Sequence, residues 1–184
     1  MKLLVTPRLL MRPFAESDLG DLSALFADTA VTQYIGPPNS LTPAQAEDSL
    51  HEMMADLEAN GYGILALIER REKRFIGRCG LTKRDGSDEI ELDFILSNHA
   101  WGKGYATEAA KEVLRYAFNV LKLKRVVGLA HPSNRAAQRV LEKLGMKHTG
   151  RRQSHGMEVL KYVIENTITK PLSVTSRLSS LAYL

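Results

Sequence analysis

The chain has 184 residues, of which 44% are apolar, so it is long enough for one domain with a sizeable core and too short for two. It contains no run of 18 or more predominantly apolar residues and no secretory leader pattern, so we expect a cytoplasmic protein without membrane spans. Cys79 is the single cysteine, which excludes an internal disulfide and a Cys-x-x-Cys pair and indicates a packed strand residue.

The two parts of the chain differ strongly in charge. Residues 1–100 carry 10 Lys/Arg and 16 Asp/Glu, a net charge of −6, whereas residues 101–184 carry 15 and 5, a net charge of +10. The second part is therefore suited to an anionic partner such as nucleic acid or a phosphorylated cofactor, although simple solvation of basic faces remains the alternative.

The first sixty residues predict one strand and two helices. Residues 3–13 are rich in Leu and Val and predict a strand. Ser17 is a suitable N-cap for a short amphipathic helix. Thr42-Pro43 followed by Gln45 forms a capping box that opens a helix to about Ala59, and Asn60-Gly61 supplies a left-handed stop.

Alternation with a period of two then predicts three antiparallel strands in succession. Residues 64–68 and 75–81 form a hairpin across the charged turn at residues 70–73. The turn dipeptide Asp85-Gly86 leads to a third strand over residues 90–96.

The pattern alternates between helix and strand after this sheet. Apolar spacing predicts a helix over residues 107–121 and a short strand over residues 126–130. Ser133 can cap the next helix, which Gly145 ends.

The chain is predicted to end in a hairpin and a tail. Residues 146–152 and 157–164 form the hairpin, and residues 166–184 are Ser/Thr-rich and read as a tail. The fold class is therefore α/β, with a single domain over residues 1–165 that contains a mixed, mostly antiparallel sheet of about seven strands and about four helices.

The segment most indicative of chemistry runs from His99 to Glu108, where a strand passes into a helix. Gly102 and Gly104 allow successive backbone amides to point at one place, and the helix beginning near Thr107 adds unpaired N–H groups. Such an arrangement binds phosphate, although an ordinary glycine turn is the simpler interpretation. The spacing fits neither a P-loop nor the dinucleotide fingerprint.

Four motifs follow one another between residues 3 and 165. They are Thr6-Pro7-Arg8-Leu9 with Arg12-Pro13 and Asp18, the strand segment 91–96, the segment 101–109, and Asn134 followed by residues 140–146. In this order and spacing the chain resembles the GNAT superfamily of acyl-CoA-dependent N-acetyltransferases, in particular the ribosomal-protein N-terminal acetyltransferase branch. The resemblance implies an enzyme that uses acetyl-CoA as its co-substrate.

The resemblance also implies where the co-substrate binds. The loop at residues 102–107 would surround the pyrophosphate, and backbone groups of residues 94–96 would pair with the pantetheine arm. Arg139 would reach an outer phosphate unless it is a solvent-facing helix residue, and Trp101 stands where many relatives have Gln or Arg. The implied cofactor-binding residues are Phe94, Ile95, Leu96, Trp101, Gly102, Lys103, Gly104, Tyr105, Ala106, Thr107, Asn134 and Arg139.

Acetyl transfer to an amine needs a base, and the resemblance points to Glu91, with Asp93 on the same strand face as the second candidate. The alternative interpretation is that both are ordinary charged residues on the exposed side of a strand. A backbone N–H near Ile95 would stabilise the oxyanion. Relatives often carry a Ser or Tyr acid where this chain has Ala137, so the leaving thiolate would rely on water, on Tyr162 or on no dedicated acid.

The acceptor is expected to be a primary amine, either a protein N-terminus or a small molecule. At pH 7, deprotonating a lysine amine of pKa near 10.4 costs about 4.6 kcal/mol, whereas an α-amine near 7.8 costs roughly 1 kcal/mol. The cost therefore favours an α-amine without excluding the others.

Other functions fit the sequence less well. The five histidines show no ligand spacing, so no metal site is predicted. The basic clusters at residues 122–125 and 151–152 raise the alternative of a nucleic-acid-binding module, but interleaved aromatics and a recognisable motif are missing. A coenzyme A-binding sensor without turnover is the third alternative, and a homodimer is reasonable within the family.

Overall fold

A computed structural model of the chain describes residues 3–35, 42–83, 88–154 and 156–166. Within these ranges, eight strands form one sheet in the order β1-β2-β3-β4-β5-β6-β8-β7. The strands are β1 (Leu4–Val5), β2 (Leu9–Arg12), β3 (Ile64–Glu69), β4 (Arg74–Lys83), β5 (Ile90–Leu96), β6 (Arg125–Ala130), β7 (Lys147–Ser154) and β8 (Met157–Glu165). The α-helices are α1 (Leu19–Ala27), α2 (Thr29–Thr32), α3 (Ala46–Asn60), α4 (Tyr105–Asn119) and α5 (Arg135–Lys143).

The sheet confirms the predicted α/β class. Its neighbouring strands are antiparallel except β5 and β6, which run parallel. The predicted Asp85-Gly86 turn and the tail from residue 167 onward lie outside the described residues. No helix in the described part of the chain is long and apolar enough to cross a membrane.

The prediction of one strand over residues 3–13 is wrong, because the segment folds back on itself. The N–H of Thr6 donates to the carbonyl of Leu9 (2.9 Å), and Pro7 has no N–H to offer a ladder. β1 therefore pairs antiparallel with β2, with Leu4 opposite Met11. This turn is the reason why the sheet has eight strands rather than about seven.

Two predicted N-caps are displaced by one residue. Asp18, rather than Ser17, organises the first helix, because its carboxylate accepts the N–H of Ala15 (2.9 Å) and two bonds from Arg12 (2.7 Å each). A 3₁₀ turn over Glu16–Asp18 then leads into α1. In α5 the cap is Asn134 rather than Ser133.

The start and end of α3 follow the sequence prediction. The Oε1 atom of Gln45 accepts the N–H of Thr42 (3.0 Å), which is one half of the capping box. A 3₁₀ turn over Pro43–Gln45 precedes the helix, and Gly61 ends it at φ 70°. The left-handed stop is therefore confirmed.

The sheet separates two hydrophobic cores. α4 and α5 cover one face, where Cys79, Val113 and Leu141 are completely buried. α1 and α3 cover the other face, where Leu22 and Leu50 are completely buried. Since side chains alternate along a strand, β5 contributes to both cores. The predicted packing of Cys79 is confirmed, and burial raises the pKa of its thiol far above the ordinary value.

Candidate active site

A gap opens between the two parallel strands. β5 pairs with β6 through Glu91 with Val127 and Leu92 with Gly128, and the ladder between these two fully described strands ends there. β5 leads to α4 and β6 leads to α5, so both helices begin at the carboxyl ends of the diverging strands. Ligands of open α/β sheets bind in a crevice at this end of the strands.

The backbone groups of β5 that face the gap follow from its hydrogen bonds to β4. The N–H of Ser97 donates to the carbonyl of Ile76 (3.0 Å), and Ile95 lies opposite Arg78 in the same register. Because hydrogen-bonded pairs alternate along an antiparallel ladder, the N–H and carbonyl of Ile95 also face β4. Those of Phe94 face the gap. Among the N–H groups near Ile95, where the oxyanion donor is predicted, that of Phe94 therefore faces the gap.

The side chain of Trp101 binds the last residue of β5. Its indole Nε1 donates to the carbonyl of Leu96 (2.8 Å), while its side chain remains about half exposed. The indole has only this one N–H, so it keeps no polar donor for a phosphate. The Leu96 carbonyl, predicted to pair with a pantetheine arm, accepts this bond and has a second lone pair for a ligand. Phe94 provides an N–H and a carbonyl that both face the gap.

The loop after Trp101 forms the start of α4. Gly102 (φ 74°) and Gly104 (φ 81°) both adopt the left-handed conformation that favours glycine. The helical ladder begins where the N–H of Glu108 donates to the carbonyl of Gly104 (3.1 Å). The N–H groups of residues 105–107 therefore have no acceptor within the helix. α4 starts at Tyr105, two residues earlier than predicted, and its N-terminus is a suitable anion site.

A group of side chains from the β1–β2 turn holds this loop from behind. The carboxylate of Glu108 accepts the hydroxyl of Thr6 (2.6 Å), the backbone N–H of Arg8 (3.0 Å) and its Nε (2.6 Å). The Nη1 atom of Arg8 donates to the carbonyl of Lys103 (2.8 Å), and its guanidinium lies over the ring of Tyr105 at 4.6 Å. We call Thr6, Arg8 and Glu108 the clasp.

The clasp keeps Glu108 ionised. Burial would raise the pKa of this carboxyl, but the hydrogen bonds from Thr6 and Arg8 and the charge of Arg8 together lower it below its ordinary value. Sequence reasoning found Thr6 and Arg8 only as parts of a motif. Thr6, Arg8 and Glu108 all belong to the motifs that carry the family resemblance, and this is the signal that could have linked the turn to the loop.

A cavity of about 730 Å³ lies on the α3 side of the gap. It brings together five of the predicted site residues, Glu91, Asp93, Phe94, Ile95 and Asn134. The loop residues 101–107, Leu96 and Arg139 are not part of its wall. Phe94 and Ile95 line the cavity and the anion loop follows β5, so the cavity and the loop both adjoin the carboxyl end of this strand.

The two predicted base candidates have different surroundings. Asp93 pairs with Arg78, whose Nη2 lies 3.1 Å from its Oδ2. The Arg78 side chain is 13% exposed, and its Nη1 contacts the sulfur of Met53 (3.5 Å). The Nε atom of Arg78 is buried and has no hydrogen-bond partner among the described residues. Glu91 is partly buried in the same wall.

An aromatic pair closes one side of the cavity. The rings of Tyr34 and His131 stack at 5.6 Å, and both line the cavity. The Nδ1 of His131 accepts the N–H of Ser133 (3.1 Å), which assigns its proton to Nε2.

Asn134 holds its own helix as well as the cavity wall. Its Oδ1 accepts the N–H of Ala137 (3.0 Å), which leaves the side-chain amide group as the polar part that can face a ligand. Ala137 lines the cavity without a hydroxyl. Arg139 is exposed, and its Nε donates to the carbonyl of Arg135 (3.2 Å) in the same helix.

Tyr162, considered as an acid, is placed away from this wall. It is 3% exposed and packs against His148 at 5.4 Å, within the core under α5. Burial and the nearby charge of Glu142 raise the pKa of its hydroxyl. The alternative that assigned it acid catalysis is therefore wrong. In the described ranges, no group of three or more His, Cys, Asp or Glu side chains could hold a metal ion.

Comparisons with known proteins identify the family. The model of the family described as "Acetyltransferase (GNAT) domain" matches residues 8–147. The chain is similar to the "Uncharacterized N-acetyltransferase YoaA" of Bacillus subtilis (strain 168), with 33% identity over 152 residues, covering 80% of this chain and 84% of the relative. The crystal structure of the acetyltransferase from Agrobacterium tumefaciens str. C58 has a TM-score of 0.79 at 26% identity, covering 90% and 95%.

The structural neighbours also include a ribosomal-protein acetyltransferase. The ribosomal L7/L12 α-N-protein acetyltransferase RimL, solved in complex with coenzyme A, has a TM-score of 0.74 at 15% identity and covers 89% of this chain and 98% of that one. The chain belongs to the GNAT acetyltransferase family. It is an acetyl-CoA-dependent N-acetyltransferase, as the sequence predicted.

Proposed function

We propose that this enzyme transfers the acetyl group of acetyl-CoA to a primary amine by direct attack in a ternary complex. The acceptor is a protein N-terminal α-amine or a small-molecule amine. One observation carries the proposal: beside the gap between β5 and β6, an anion-binding helix N-terminus and a cavity lined by carboxylates both adjoin the carboxyl end of β5. A chain-like ligand with a diphosphate and a thioester fits such a crevice.

The residues present suit this co-substrate. The amides of residues 102–107 would bind the diphosphate, and Lys103 adds a positive charge nearby. The carbonyl of Phe94 would accept a pantetheine N–H, as in an added strand. Asn134, at the start of α5, would contact the pantetheine arm. Arg139 would reach an outer phosphate. Acetyl-CoA would supply an acetyl group on a good leaving thiolate.

Glu91 is the first candidate for the base. The amine nitrogen forms a bond to the acetyl carbon, the carbon–sulfur bond breaks, and the amine proton passes to Glu91 directly or through water. Asp93 is the second candidate, because any proton that it accepted would weaken its ion pair with Arg78. The Phe94 N–H would donate a hydrogen bond to the oxyanion, which is the role predicted for an N–H near Ile95.

The leaving group needs little help from a side chain. Ala137 stands at the cavity wall where a hydroxyl would act as an acid, and Tyr162 is buried elsewhere. A thiol with pKa near 8.5 leaves readily as a thiolate, so it would take its proton from water. Since an α-amine is cheaper to deprotonate than a lysine, N-terminal peptides are the first acceptors to test.

Two measurements test the proposal. Isothermal titration with acetyl-CoA and with a mixed-sequence RNA at moderate salt separates co-substrate binding from nucleic-acid binding. A panel of N-terminal peptides and small amines, read by free thiol release, then tests turnover. We expect acetyl-CoA binding and thiol release that depends on one class of amine. Acetyl-CoA binding without turnover on any amine would instead support a coenzyme A sensor. The sensor is the second candidate because Ala137 has no hydroxyl that could act as an acid.

A further inference from the structure

We propose that the clasp sets the affinity for acetyl-CoA, with Arg8 as a positioning residue that orients the anion loop without binding the co-substrate itself. This inference rests on the proposed function of the loop at residues 102–107. It concerns Thr6 and Arg8, which are about 100 positions away from Glu108 in the chain and meet it behind that loop.

Arg8 fixes the direction of one peptide bond in the anion loop. Arg8 Nη1 donates to the carbonyl of Lys103 at 2.8 Å. A trans peptide is planar, with its carbonyl and the following N–H pointing in opposite directions. The N–H of Gly104 therefore points away from Arg8. Holding the Lys103 carbonyl from behind presents the Gly104 amide on the other side, where the amides of α4 also begin.

The clasp also compensates the negative charge of Glu108. Glu108 belongs to the first turn of α4, and an uncompensated carboxylate there would compete with a diphosphate for the same positive helix end. The two Arg8 atoms Nε and Nη2 each lie 2.6 Å from its Oε2, and Thr6 and the Arg8 backbone N–H bond to its Oε1. The carboxylate is thus neutralised and directed away from the loop.

Arg8 is held in one orientation by contacts within the protein. Its Nε, Nη1 and Nη2 each contact Glu108 or Lys103, and its guanidinium lies over the ring of Tyr105. Several charge-assisted contacts made at once fix a guanidinium in place. Arg8 therefore acts through the loop, and a lysine can reproduce its charge but not its geometry.

The experiment is a steady-state comparison of variants, each checked by thermal unfolding. Arg8→Met should raise KM for acetyl-CoA by about 10-fold or more, with kcat and KM for the amine nearly unchanged. Arg8→Lys should recover part of this loss. The double variant Arg8→Met/Glu108→Gln should bind acetyl-CoA more tightly than Arg8→Met alone, because the exposed carboxylate is then gone.

The matched control is Arg70→Ala. Arg70 Nη1 donates to the backbone carbonyls of Thr6 (2.8 Å) and Pro7 (3.2 Å), so this variant disturbs the backbone of the same turn and removes none of the side-chain bonds of the clasp. It should leave KM for acetyl-CoA within about twofold of the wild type. An equal rise in KM for Arg70→Ala and Arg8→Met would show a general effect of the turn and overturn the inference.

The outcomes separate this inference from the proposed function. If the wild type binds acetyl-CoA and Arg8→Met binds it equally well, the positioning role is wrong and the proposed function stands. A uniform loss in kcat and in both KM values for Arg8→Met would also overturn it. If the wild type does not bind acetyl-CoA, the proposed function and this inference both fail.

Discussion

The Glu108 carboxylate lies 2.6 Å from the guanidinium of Arg8, although 100 positions separate the two residues in the chain. The pair joins the turn between the first two strands to the first turn of α4. The N-terminal segment is therefore part of the loop that we assign to acetyl-CoA. Disturbing this segment is expected to change binding of the co-substrate, even though it lies outside the crevice.

Replacing Gly104 tests the anion loop. Gly104→Val places a β-branched residue at φ 81°, which costs about 1–2 kcal/mol of backbone strain, and its Cβ would lie 3.5 Å from the Nη2 of Arg8. We expect acetyl-CoA affinity to fall by at least about 10-fold in isothermal titration. Gly145→Val is the control, since Gly145 has φ 82°, open space around it and no link to the loop. Equal affinities for the two variants would contradict the loop assignment.

Replacing the carboxylates tests the base. Glu91→Gln should lower kcat by about 10²–10⁴-fold with unchanged acetyl-CoA affinity, because a general base contributes this much. Asp93→Asn should lower it less, since its ion pair with Arg78 gives it a supporting role. Both are measured by thiol release across a pH series. If neither variant slows turnover, the base is a different group.

Asp18 is expected to govern stability rather than activity. Its carboxylate is nearly buried and bonds to Arg12 and to the N–H of Ala15, so Asp18→Asn should cost about 2–3 kcal/mol in urea unfolding. The exposed Asp21→Asn is the control and should be nearly neutral. An undiminished free energy of unfolding for Asp18→Asn would contradict this view.

The same carboxylate predicts a pH dependence. Burial would raise the pKa of Asp18, but the hydrogen bonds from Arg12 and Ala15 and the charge of Arg12 hold it below its ordinary value of 3.8. A lowered pKa in the folded state means that the stabilisation is present above 3.8 and is lost as the pH falls through the folded value. The stability difference between wild type and Asp18→Asn should therefore shrink below about pH 4. A difference that stays constant down to pH 2 would contradict it.

The single tryptophan supplies a direct reporter of binding. Trp101 is about half exposed beside the anion loop and is anchored to the Leu96 carbonyl. Titration with acetyl-CoA should change its emission intensity or wavelength, because a bound diphosphate alters its solvent contact. Gly104→Val should shift this titration to higher concentration. Saturation by calorimetry without any change in emission would place the ligand away from Trp101.

Much of this fold could be predicted from the sequence because local signals and burial agree. The alternation in residues 64–96, the left-handed Gly61 and the apolar stripe of α4 each have one favoured solution. The break at Pro7 was missed because a short hairpin of Leu and Val looks the same as one strand until pairing decides. Asn134 displaced Ser133 as the N-cap because both residue types favour this position, and only the backbone at the start of α5 decides between neighbours.

The site was predicted less completely because its parts depend on register and on distant contacts. A shift of one residue in β5 decides whether Ile95 or Phe94 faces the gap, and only pairing with β4 sets that choice. The clasp joins residues 100 positions apart, which no local spacing reveals. The resemblance supplied the motifs, and the structure shows which of them are in contact.

A crystal structure of the protein with acetyl-CoA tests the central claim most directly. We expect both phosphates to lie within hydrogen-bond distance of the backbone N–H groups of residues 102–107. The thioester should reach the cavity near Phe94 and Glu91. Phosphates bound elsewhere, for example on the basic residues of β7, would contradict it.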